Sequence, residues 1–214
     1  MLEYKSSYFN IVVPLMRRAI AKRCGRDLAR TCARGARPIY RDLLAKAPNV
    51  GRNNPMEHNI YMAIALFSMQ LASNGELSVE DFSACAQDMM ALPIMRLMGI
   101  GRDFNDPKTL AKYDKTFHAD EQWRLDHLDQ IDCSWEYHFD ESAHKDGVYY
   151  YYTRCPINDF CRANGLLHLL PAMCAIDYPS CRLEHGILHR EHTLAQGGPV
   201  CDFWIVGDKV ENPE

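Results

Sequence analysis

Three short motifs in the last third of the chain bring together thiols, carboxylates and cations. The first, Thr153-Arg-Cys-Pro156, sets a thiol directly before a proline. Proline is favoured as the first residue of a helix, where its missing N–H is not needed, so Cys155 reads as the residue that opens a helix. Free N–H groups and the positive end of the helix dipole favour a thiolate there. Arg154 beside it adds positive charge. This is the setting of an activated nucleophile. In the second motif Cys174 and Asp177 stand three residues apart. On a helical turn they project from one side, so a thiol and a carboxylate can share a cavity. The same pair also reads as a buried cysteine and a helix-terminal Asp, because Pro179 follows. The third is EHTLAQGGPVCDFWIV, Glu191 to Val206, which reads as two strands around a Gly-Gly-Pro turn with Cys201 at the start of the second. Free cysteine is among the most buried residue types, and Cys201 alternates with Phe203, so on its own it reads as core filling. Gly197 and Gly198 permit positive φ or the close approach of a ligand.

Three histidines lie near the same strand. His189 and Arg190 are neighbours and must point to opposite faces of it, so only one of them can face a given cavity. His185 and His189 share parity, which suits a base or a metal site as well as plain surface positions. Cys155, Cys174, Cys181, Cys201, His185 and His189 supply enough soft ligands for a structural zinc, but their spacing matches no compact zinc module.

The chain has 214 residues, of which 47% are hydrophobic and 24% charged, with a formal net charge of −4. That length supports a substantial core. The balance points to no nucleic-acid partner and no disordered chain. Nine cysteines is an odd count. The N-terminus shows no basic leader followed by an apolar run, so a disulfide framework is not expected and a cytoplasmic protein is the default. The longest apolar runs fall short of a membrane span.

The elements that must position the motifs follow from periodicity. Up to about residue 130 the pattern is helical. Tyr8 to Ile20 forms one helix disturbed at Pro14, and Gly25 to Leu44 a second disturbed at Pro38. A third runs from Pro55 to Ala72, a fourth opens at Ser78 with Asp81 as capping partner, and a fifth covers Pro107 to Leu128 after Asp106. Arg26, Arg30, Arg34, Arg37 and Arg41 make a basic stripe that the acidic region 114–146 can face. Beyond Cys133 the period changes. Trp135–Phe139 and Val148–Thr153 form a hairpin with Asp146-Gly147 between them, and a short helix covers Pro156 to Asn164. A helical segment, Leu166 to Leu183, is broken by Pro171 and Pro179. Ile187–Leu194 and Val200–Val206 make a second hairpin. The expectation is an α+β protein: a helical region 1–130, then an α+β region 131–214 with an antiparallel sheet in β-β-α-α-β-β order, packed as one unit.

Read together, Thr153-Arg-Cys-Pro156, Cys174-Ala-Ile-Asp177 and His189-Arg-Glu-His-Thr-Leu-Ala-Gln-Gly-Gly-Pro-Val-Cys-Asp-Phe203 resemble the L-2-amino-thiazoline-4-carboxylic acid hydrolase family, closely over residues 130 to 206. The resemblance implies an enzyme that opens a small cyclic amidine to N-carbamoyl-cysteine without a cofactor. Attack falls on the carbon between the ring sulfur and the two nitrogens, and the sulfur leaves with a proton. On this reading Cys155 is the first candidate nucleophile, followed by Cys201 and Cys174. Asp177 is the amidinium partner or base, and Arg190 the clamp on the substrate carboxylate. Thr193, Gly197, Gly198 and His189 are candidate substrate contacts. A small molecule is the expected partner, and a homo-oligomer is compatible. A looser resemblance to the 4-vinyl-reductase type of binding domain gives the alternative: a ligand sensor without turnover, with structural zinc.

Overall fold

The computed structural model describes residues 2–98, 101–140 and 142–213. The first half is helical: α1 (Ser6–Arg23), α2 (Arg26–Lys46), α3 (Glu57–Leu71), α4 (Val79–Met90), a short α5 (Pro93–Met98) and α6 (Pro107–Asp126). α3 is apolar nearly all round and buries Ile60, Ala63, Ile64, Phe67 and Met69, as expected of a helix enclosed by its neighbours. It packs against α1 and α2, and α4 lies against α1. Ser78 accepts the Asp81 N–H at the start of α4, and Asp106 accepts the Lys108 N–H at the start of α6, so both capping signals hold.

Pro14 and Pro38 do not end their helices, which run through both. Each proline removes a donor to the carbonyl four residues back. Pro14, Asn10, Pro38 and Arg34 are all exposed, so water can take the missing partner's place. The basic stripe on α2 is not matched to the acidic region. Arg30 pairs with Asp27, and Arg37 donates to Tyr4 and Asn10, while α6 packs on the sheet.

The second half contains β1 (Glu136–His138), β2 (Val148–Arg154), α7 (Pro156–Ala163), a 3₁₀ turn at Leu167–Leu169, α8 (Leu170–Cys174), α9 (Asp177–Leu183), β3 (Gly186–His189), a 3₁₀ turn at Leu194–Gln196 and β4 (Cys201–Gly207). The four strands form one sheet in the order β1-β2-β4-β3, antiparallel throughout. The fold is α+β, a helical half followed by this sheet. The second hairpin is shorter than its sequence suggests. β3 ends at His189, so Glu191 to Thr193 lie outside the sheet. The segment 166–183 divides into three pieces, with Pro171 in the first turn of α8 and Pro179 in the first turn of α9, where a missing N–H costs little.

Strand parity fixes the two faces of the sheet. Tyr152 lies opposite Cys201, Tyr150 opposite Phe203 and Val148 opposite Ile205, so all six side chains share the inner face. Phe117 of α6 packs on Tyr150 at a ring separation of 4.3 Å, and α9 covers β3. Tyr149, Tyr151, Trp204 and His189 occupy the outer face. The two halves meet where α4 packs on α8 and α9 and where α3 packs on α7.

Candidate active site

α7 and α8 bring two of the motif cysteines to the inner face of the sheet beside the third. Cys155 is the N-cap of α7, as its proline implies, and Cys174 is the last residue of α8. Ala175 and Ile176 keep right-handed helical backbone between α8 and α9, so Asp177 follows Cys174 by one turn. Cys201 opens β4 with its sulfur accepting the Leu194 N–H at 3.2 Å. Cys155, Cys174 and Cys201 lie near enough to raise one another's proton affinity, and Asp177 and Arg190 influence both Cys174 and Cys201. The three motifs therefore converge on one place.

Arg190 organises it. Its side chain is 3% exposed. Nη2 donates to Asp177 Oδ2 at 2.8 Å, Nη1 to the Cys174 carbonyl at 3.1 Å and Nε to the Asp202 carbonyl at 3.0 Å. The guanidinium lies over the Phe203 ring, 3.9 Å from its centroid. A planar donor fork can satisfy three directions at once, which a lysine cannot. The result ties α8, α9 and β4 together. It also commits to the protein the group that the sequence offered as a carboxylate clamp.

Beside this pair is an open cleft of about 140 Å³. Cys174, Tyr178, Arg190, Glu191, His192 and Gln196 line it, with Thr193 at its wall. That volume suits a compact ligand of small-metabolite size.

The thiols are held neutral. Burial pushes Cys155 up to about 12, although the Ile157 and Asn158 N–H groups favour its thiolate. Its side chain makes no cap hydrogen bond, and Arg154 turns to Asp159 at 2.8 Å. Desolvation thus outweighs the helix start. Burial and the neighbouring Asp177 carboxylate raise Cys174. Burial also raises Cys201, opposed by the Leu194 N–H and by Arg190. Desolvation raises the Asp177 carboxyl, while Arg190 pulls it back.

The remaining candidates divide. Thr193 is buried, and its hydroxyl accepts the Gln196 N–H at 3.3 Å and donates to Gln196 Oε1 at 3.1 Å, so it caps the 3₁₀ turn. Gly197 has φ +83°, which closes that turn. The close approach at Gly198 is to its own chain: an added Cβ would lie 3.0 Å from the Thr193 oxygen and 3.0 Å from His192 Cβ. His189 is not in the cleft. It packs on Trp204 across the outer face at 4.7 Å, as its parity relative to Arg190 requires. His185 pairs with Asp208 at 3.1 Å, away from His189. Among the described residues no three His, Cys, Asp or Glu side chains are grouped to hold a metal ion.

Sequence reasoning passed over Asp202, although it follows Cys201. Its buried carboxylate accepts the Glu191 N–H at 2.7 Å and the His192 N–H at 2.6 Å. With its carbonyl on Arg190, it pins three successive residues of the cleft. An aspartate inside a strand, where that residue type is depleted, was the signal available.

The family model for L-2-amino-thiazoline-4-carboxylic acid hydrolase matches residues 53–205, well over half of the chain. The chain belongs to this family. The match starts in the helical half, before α3, and ends within β4, so it takes in the whole cleft. No curated protein and no solved structure matches the chain. Membership makes the protein a hydrolase of this general class. Among the described residues no helix is long and apolar enough to cross a membrane.

Proposed function

We propose that the cleft opens a small cyclic amidine of the 2-amino-thiazoline-4-carboxylate type to the N-carbamoyl amino acid, by attack of the Cys174 thiol on the amidine carbon. The observation that carries this reading is the placement of Cys174 on the cleft wall, one turn from Asp177, with Arg190 bonded to both residues. Cys155 and Cys201 belong to the same cluster but do not line the cleft, which puts Cys174 ahead of them as nucleophile.

A neutral thiol needs a base at the moment of attack. Asp177 serves as that base: it takes the Cys174 proton as sulfur bonds to the amidine carbon, then returns it to the ring sulfur as the carbon–sulfur bond of the ring breaks. Water next adds to the same carbon, losing a proton to Asp177. Cys174 leaves with that proton, the remaining hydroxyl proton passes to the former imine nitrogen, and the carbon becomes the urea carbonyl. The net change is the uptake of one water. Arg190 holds Asp177 through its 2.8 Å bond and opposes the desolvation that raises the proton affinity of this carboxyl, which favours the ionised form that a base requires.

The test is direct. Purified protein incubated with L-2-amino-thiazoline-4-carboxylate releases one free thiol for each N-carbamoyl-cysteine formed, followed by thiol colorimetry and mass spectrometry. Absence of both products at millimolar substrate rejects the reading.

A further inference from the structure

The family's substrate carries a carboxylate as well as an amidine, and an anion entering this cleft needs a cation to receive it. Arg190 is poorly placed for that task, being 3% exposed and bonded to Asp177, Cys174 and Asp202. His192 is the other basic side chain on the cleft wall among the described residues, and its side chain is 48% exposed. We propose that His192 receives the carboxylate of the ligand, with Asp202 as the residue that positions it; this rests on the function proposed above.

The geometry is specific. Asp202 Oδ1 accepts the His192 backbone N–H at 2.6 Å and lies 3.8 Å from the ring Nδ1 of the same residue. An imidazole carries a nitrogen on each side of its ring, so with Nδ1 on the Asp202 side, Nε2 is left to donate to a ligand oxygen. Asp202 Oδ2 accepts the neighbouring Glu191 N–H, which fixes the adjacent residue as well. Glu191, an acidic side chain, lines the same cleft. The rim therefore sets a ring nitrogen beside a carboxylate side chain. Glu191 precedes His192, Asp202 on β4 faces its ring, and Arg190 lines the same cleft. A ligand with a carboxylate at one end and an amidinium at the other matches that arrangement better than a simple anion does.

Binding of inert ligands tests this separately from turnover. The probes are 2-iminoimidazolidine-4-carboxylate, a cyclic guanidine whose ring nitrogen is a poor leaving group, and its decarboxylated counterpart. Calorimetric titration of the wild-type protein is expected to favour the carboxylate probe by about tenfold or more, the worth of one charged hydrogen bond. In His192→Gln the preference collapses toward unity, and His192→Lys restores part of it. Equal binding of the two probes by wild type, or an unchanged preference in His192→Gln, overturns the proposal. A failure of ring opening with the preference intact counts against the reaction and not against this receptor.

Discussion

The Arg190 guanidinium donates to Asp177 at 2.8 Å while its carbon sits 3.9 Å from the centroid of the Phe203 ring. That single side chain joins the two helices that carry Cys174 and Asp177 to the strand that carries Cys201. Removing it by Arg190→Met leaves a carboxylate without its partner and two carbonyls without donors. With the Arg190 side chain buried but the Asp177 side chain 39% exposed, breaking the pair costs about 2 kcal/mol, between the exposed and the buried cases. Urea unfolding should show a drop of that order, and Arg190→Lys should recover only part of it. A change below about 1 kcal/mol in Arg190→Met would mean that the fork holds nothing together.

Cys155 should be slow to react. A thiol pushed up to about 12 has almost no thiolate at neutral pH. Iodoacetamide labelling at pH 7.5, mapped by peptide mass spectrometry, is expected to modify Cys155 at least about a hundredfold more slowly in the folded protein than in urea. Rapid labelling of Cys155 ahead of every other cysteine would restore the argument from its helix start.

Several buried thiols make the fold sensitive to alkali. Burial raises Cys32 and Cys133 to about 11 and Cys85, Cys161 and Cys181 to about 12. In the unfolded chain these groups lose protons near pH 8.5, well before they do so in the fold. Above that pH the unfolded state binds fewer protons, so stability falls as pH rises from about 8.5 toward 11, by about 1.4 kcal/mol per unit for each thiol. Urea midpoints in the presence of reductant, compared at pH 8 and pH 10, measure this. Constant midpoints would show that the thiols are not desolvated.

Asp202→Ala should loosen the cleft wall. The substitution removes two charge-assisted bonds, to the Glu191 and His192 N–H groups, each worth about 1.5–3 kcal/mol. Amide exchange at Glu191 and His192 is expected to accelerate more than exchange in β2. Equal protection of Glu191 and His192 in variant and wild type would contradict the assignment.

What the sequence discloses and what it hides divide along physical lines. Asp106-Pro107, Ser78 with Asp81 and Cys155-Pro156 act through neighbours, so the helix starts they predict are where the structure has them. Alternation along Val148–Arg154 and Cys201–Gly207 is equally local, and parity at the end of β3 turns His189 away from Arg190. The end of β3 at His189 is not local, because Asp202 draws the Glu191 and His192 N–H groups out of the ladder from ten and eleven residues away. The charge state of Cys155 was hidden for the same reason: desolvation depends on everything packed around the sulfur. Arg190 showed its type and its face, but not that Asp177, Cys174 and Asp202 would occupy its donors.

The most direct measurement is the turnover of L-2-amino-thiazoline-4-carboxylate by wild type and by Cys174→Ala, read as thiol released per minute. Wild type should open the ring, and loss of the nucleophile should lower kcat by about a thousandfold or more, with the urea midpoint changed little by so small a truncation. A Cys174→Ala protein that opens the ring within about tenfold of the wild-type rate would contradict the assignment of chemistry to this thiol.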